Sequence, residues 1–96
     1  MDARVDPLAL LGLELGDAHV LRNAGAIVTE DVLRSLEASR GIGSDRVVVI
    51  GHTDCGLVPG ETERVRQAVG ELRSATPGDV RGYVLDVEAN VLREVE

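Results

Sequence analysis

Residues 46–56 read Arg-Val-Val-Val-Ile-Gly-His-Thr-Asp-Cys-Gly, and this stretch decides the fold. Val47, Val48, Val49 and Ile50 form a continuous β-branched run, the pattern of a strand buried on both faces in a parallel sheet. The run stops at Gly51, and His52, Thr53, Asp54 and Cys55 follow at once. An imidazole and a thiol thus stand at the carboxyl end of a core strand, where open α/β sheets place their ligands. His-x-x-Cys supplies two of the four positions that a tetrahedral zinc needs. The plainer alternative is a small buried thiol beside a hydrogen-bonded His in a turn. A helix beginning just after Cys55 would favour the thiolate that a metal requires.

Upstream of this strand, Thr29 is an N-cap, with Glu30 and Asp31 favourable in the first turn of a helix. Val32, Leu33 and Leu36 give that helix its apolar face, and it ends near Gly41. Further back, Asp6-Pro7 is an N-cap followed by Pro at the first helical position, opening a short helix through Leu8, Leu10 and Leu11 to Gly12. Gly16-Asp17 is a turn, Ala18–Leu21 a short strand containing the polar His19, and Arg22-Asn23-Ala24-Gly25 a loop. Downstream, Pro59-Gly60 is a breaker. Val65, Ala68, Val69 and Leu72 at helical spacing mark an amphipathic helix over about 61–74. After a turn at Thr76–Asp79, the runs Gly82–Val87 and Val91–Val95 form a hairpin about Glu88-Ala89-Asn90. Alternating helix and strand predict one α/β domain over residues 1–96: a small, mostly parallel sheet flanked by helices, with a C-terminal hairpin.

Composition narrows the partners. The 96 residues carry a net charge of −7, which opposes non-specific nucleic-acid binding because that needs a basic face. All ten basic residues are Arg, and Tyr83 is the one aromatic residue, so the core is built from Val, Leu, Ala and Ile. At this length the buried fraction is modest, and pairing with a second copy is a common remedy. No apolar run approaches the roughly 18 residues of a membrane span, and no signal-peptide pattern opens the chain, so the expected location is the cytoplasm without membrane association. Cys55 is the single cysteine: a buried thiol, a ligand or a nucleophile.

Two further sets of residues carry potential chemistry. Asp2 and Arg4 are two apart, so on an extended backbone their side chains share a face, and a bidentate guanidinium there would orient the carboxylate. An exposed terminal ion pair has the same spacing. Asn23 and Gly25 offer donors to an anion, although a tight loop would use the same residue types.

Taken in order, Met1-Asp2-Ala3-Arg4, then Gly16-Asp17-Ala18-His19-Val20-Leu21-Arg22-Asn23-Ala24-Gly25, a helix, and His52-Thr53-Asp54-Cys55-Gly56 closely resemble the β-class carbonic anhydrases. The ending Arg81-Gly82-Tyr83-Val84-Leu85-Asp86-Val87 resembles that family's last hairpin. The resemblance implies zinc-dependent reversible hydration of carbon dioxide to bicarbonate, with His52 and Cys55 as zinc ligands. It implies that Asp2 and Arg4 are the dyad beside the metal, in which Asp2 meets zinc-bound water or ligates zinc itself while Arg4 holds it. Asn23, Gly25 and Gly56 would shape the substrate pocket, and the working form would be a homodimer or a higher assembly.

The sequence also departs from that family. Its zinc site has two Cys and one His, and the first Cys directly precedes the Met-Asp-Ala-Arg segment, where this chain begins. The strand leading to that Cys is likewise absent, and the stretch from Cys55 to Arg81 is short for the family. The chain is then either a segment of a longer enzyme or a short relative with an altered site. With Asp2 added to His52 and Cys55, three protein ligands and one open position result, the arrangement of a catalytic zinc. The alternative is a non-catalytic relative acting as a dimerising or anion-binding module. Hydrolysis of small carbon–sulfur substrates on the same scaffold is not separable by these residues.

Overall fold

The computed structural model describes residues 1–53, 60–76 and 78–95. Six elements follow in the order α1 (Pro7–Leu11), α2 (Glu30–Gly41), β1 (Arg46–His52), α3 (Glu61–Ala75), β2 (Asp79–Asp86) and β3 (Val91–Val95). The three strands form one mixed sheet in the order β1-β2-β3. β1 and β2 are parallel from Arg46↔Asp79 to His52↔Leu85, joined by the α3 crossover, and β3 returns antiparallel to β2.

Local chemistry places the helix starts where the sequence put them. The Asp6 carboxylate accepts from the Ala9 amide, Pro7 occupies the first turn, and Gly12 closes α1 at a φ of 68°. Thr29 Oγ1 accepts from the Val32 amide at 3.2 Å to open α2. In the hairpin, Asp86 Oδ1 accepts from the amides of Glu88 and Ala89, both at 3.0 Å, and fixes the reversal before β3.

The core lies between α3 and one face of the sheet. Val65, Ala68, Val69 and Leu72 on α3 are buried against Val49, Val80, Val84 and Val95. The approach is close because two strand positions carry no side chain. A Cβ on Gly51 would lie 2.6 Å from Val65 Cγ2, and one on Gly82 would lie 2.6 Å from Val65 Cγ1 and 2.8 Å from Val69 Cγ2. The glycines let the helix backbone settle onto the strands. Arg73 then donates to the Val80 carbonyl at 2.9 Å, tying the end of α3 to β2.

Three expectations are corrected. Ala18–Leu21 is not a strand: these residues lie outside the sheet, and Val20 and Leu21 are 41% and 48% exposed. A strand exists only where a neighbour accepts its ladder, and this segment pairs with none of the three strands. β1 is likewise not buried on both faces. It is an edge strand among the described residues, and Val48 is 42% exposed because α3 covers only the opposite face. His19, expected as an ordinary strand residue, instead pairs its Nδ1 with Ser39 Oγ at 2.5 Å, pinning this segment to α2.

Candidate metal centre

The first residues fold into a turn, with the Val5 amide donating to the Asp2 carbonyl at 3.1 Å. Inside this turn Arg4 closes on Asp2 through three bonds: its amide to Oδ1 at 2.8 Å, Nε to Oδ1 at 3.0 Å, and Nη2 to Oδ2 at 2.8 Å. The two residues are therefore a bidentate pair of defined geometry. The Arg4 side chain, and then its amide, hold the Asp2 carboxyl well below the usual carboxylate range.

His52, at the carboxyl end of β1, faces this pair. Its Nδ1 lies 2.8 Å from the Thr53 carbonyl, an oxygen that only accepts, so Nδ1 carries a proton and in the neutral ring the lone pair is on Nε2. Nε2 stands 3.7 Å from Asp2 Oδ2. Thr53 is itself held, its amide donating to the Leu85 carbonyl at 2.8 Å and its Oγ1 accepting from the Val87 amide at 3.1 Å. The sheet thus fixes the imidazole's orientation through its neighbour.

These two side chains suit a zinc ion. Bonds of about 2.0–2.2 Å at a tetrahedral angle put two ligand atoms roughly 3.4 Å apart, close to the observed gap. A ligating imidazole ordinarily donates its other N–H to a carbonyl, as His52 does. Among the described residues no third His, Cys, Asp or Glu joins them. Cys55 and Gly56, the remaining ligand and pocket residue expected from the sequence, lie outside the described residues.

Asp2 and His52 open onto a cavity of about 550 Å³ that Asn23 and Gly25 also line. The Asn23 side chain closes its own loop, donating to the Ile27 carbonyl at 2.9 Å and accepting from the Ile27 amide at 3.1 Å. Gly25 sits at a φ of 87°, and its carbonyl accepts from Arg64 on α3 at 3.0 Å. Both residues therefore shape the cavity wall through the backbone. Val32, Ser35, Leu36 and Ser39 of α2 also line the cavity, and no residue of α2 is fully buried.

Sequence reading passed over Arg22. Its Nη1 donates to the Val5 carbonyl at 2.8 Å and its Nη2 to the Asp2 carbonyl at 2.6 Å, so it clamps the turn that carries the pair. Its position beside Asn23 in a loop gave no signal, because the contact spans 20 residues of sequence.

No helix of the described residues is long and apolar enough to cross a membrane. The chain matches the carbonic anhydrase family over residues 1–92. It is 41% identical over 126 aligned residues to β-carbonic anhydrase 1 of Mycobacterium tuberculosis, covering 99% of this chain and 77% of the relative. Those 126 positions exceed the 96 residues here, so the relative carries residues within the aligned region that this chain lacks. A carbon disulfide hydrolase of Saccharolobus solfataricus is 46% identical over 59 residues, covering 60% of this chain and 29% of the relative. Among solved structures, the carbonic anhydrase of Streptococcus mutans superposes with a TM-score of 0.92 at 33% identity, over 100% of this chain and 77% of that one. Fold, motif order and these matches agree: the chain belongs to the β class of the carbonic anhydrase family.

Proposed function

We propose that this protein catalyses the reversible hydration of carbon dioxide to bicarbonate with zinc held by His52, Cys55 and Asp2. The observation that carries this reading is the facing pair of His52 Nε2 and Asp2 Oδ2 at 3.7 Å, beside a cavity large enough for a small substrate. Zinc, when bound, lowers the pKa of its water to about 7 and so supplies a nucleophile at neutral pH.

The chain's own residues do the rest. His52 offers an oriented lone pair because Thr53 holds its other nitrogen. Arg4 keeps Asp2 ionised, so Asp2 serves as a hydrogen-bond acceptor or ligand and not as a proton carrier. Asn23 and Gly25, and Gly56 beyond the described residues, shape the pocket. The single cysteine is kept as a thiolate ligand, which suits the cytoplasm. The protein acts as a homodimer, since Val48 stays 42% exposed on the β1 face that also lines the cavity, and a chain this small gains most from covering it.

Two related readings remain to be separated from this one by experiment. The similarity to a carbon disulfide hydrolase favours testing carbon disulfide beside carbon dioxide. A chain without a working zinc site would be a non-catalytic, dimerising relative. The deciding experiment is elemental analysis of protein purified without chelator, followed by stopped-flow hydration of carbon dioxide. About one zinc per chain, lost in Cys55→Ser and accompanied by hydration activity, is the expected result. Near-zero zinc that does not return on adding the metal would sink the catalytic reading.

A further inference from the structure

We propose that Arg22 is a positioning residue: its guanidinium sets where the Asp2–Arg4 pair stands relative to His52. This deepens the functional reading above and rests on it for its catalytic meaning.

The pair is organised internally, since Arg4 alone supplies three bonds to the Asp2 carboxylate. Nothing in those bonds fixes the distance to β1. Asp2 Oδ2 and His52 Nε2 are 3.7 Å apart, beyond hydrogen-bond reach, so they do not hold each other in place. The Asp2–Val5 turn carries the pair, so a tie on the backbone of that turn helps to set where the pair stands.

Arg22 supplies that tie. Its two terminal nitrogens reach the carbonyls of Asp2 and Val5, the two ends of the turn, at 2.6 and 2.8 Å. The Asp2 carbonyl thereby accepts both the closing bond of the turn and a charge-assisted bond from Arg22.

The anchoring end is itself built into the fold. Residues 18–25 are held by His19 against Ser39 of α2, by the Asn23–Ile27 closure, and by Arg64 of α3 on the Gly25 carbonyl. A continuous path therefore runs from α3, which packs on β1 and β2, through the loop and Arg22 to the Asp2 backbone. His52 belongs to β1. Both halves of the candidate centre are thus referred to the same helix, and Arg22 is the link that carries the reference across to the turn. Lysine would not replace it, because a single ammonium lacks the planar fork that spans two carbonyls.

The test uses the full chain with Arg22→Met, which keeps the aliphatic stem, and Arg22→Lys, which keeps the charge. Cobalt(II) serves as a visible metal probe, and amide hydrogen exchange reports the turn without any metal. Both variants are expected to bind cobalt about tenfold or more weakly and to lose the strong visible bands of a four-coordinate ion. The Val5 amide should exchange about tenfold faster, while the Val84 amide in the β2 core keeps its protection. Wild-type cobalt affinity and spectrum in either variant, or an unchanged Val5 amide, would overturn the proposal. Loss of protection at Val84 as well would also overturn it, because Arg22 would then hold up the whole fold. If the wild-type chain takes up no cobalt, the functional reading fails by itself, and Val5 exchange still decides whether Arg22 fixes the turn.

Discussion

His52 Nε2 faces Asp2 Oδ2 across 3.7 Å, although the two residues are 50 positions apart and sit on different parts of the fold. The ring's other nitrogen is occupied by the Thr53 carbonyl, and both carboxylate oxygens accept from Arg4. Nε2 is thus the ring nitrogen left facing Asp2, and Oδ2, which Arg4 Nη2 also reaches at 2.8 Å, is the oxygen it faces.

If that gap holds a metal, both sides of it must matter. Asp2→Asn keeps the shape, removes the negative charge and breaks the bidentate pairing with Arg4. Zinc affinity should fall by about tenfold or more, measured by competition with a chromophoric chelator. An unchanged affinity would leave Asp2 as a surface ion pair with no share in the site.

The acid side of the pH profile follows from the same pair. The Asp2 carboxyl is depressed below its ordinary 3.8 chiefly by the Arg4 side chain. A carboxyl lowered in the folded state stabilises the fold above its unfolded value, and that contribution is lost as pH falls through the folded value. Carbon-detected NMR titration should therefore find the Asp2 midpoint well below 3.8, and Arg4→Met should return it toward 3.8. A wild-type midpoint already at 3.8 would contradict the pairing.

The contact of α3 with the sheet sets a steric prediction. Gly82→Ala drives a methyl to 2.6 Å from Val65 Cγ1, and should destabilise the protein by about 1–3 kcal/mol in denaturant unfolding. Because the clash is with Val65 and Val69 side chains, Val65→Ala in the Gly82→Ala background should cost less than in wild type. Simple additivity of the two changes would place the strain elsewhere.

Val48 tests the assembly. It is 42% exposed on the β1 face that α3 leaves uncovered. Val48→Asp should shift a wild-type dimer to monomer in sedimentation velocity while leaving the α3 side of the core folded. A dimer that persists would move the interface to another surface.

What the sequence determined by itself was local. The caps at Asp6 and Thr29, the α3 stripe of Val65, Ala68, Val69 and Leu72, the β1 run and the hairpin all follow from interactions within a few residues, which side-chain type and period encode directly. Ordered motifs also pointed to the family, and they named Asp2, Arg4 and His52 as site residues before any geometry was known. Tertiary structure decided the rest. Whether Ala18–Leu21 becomes a strand depends on a neighbour to pair with, and whether Val48 is buried depends on what covers its face. Neither fact is written in the residues themselves. The meeting of Asp2 with His52, and the reach of Arg22 back to the Asp2 carbonyl, required the turn, the loop and β1 to be brought together first. Propensity has the range of a helical turn, whereas a metal centre is assembled from segments that only packing can make neighbours.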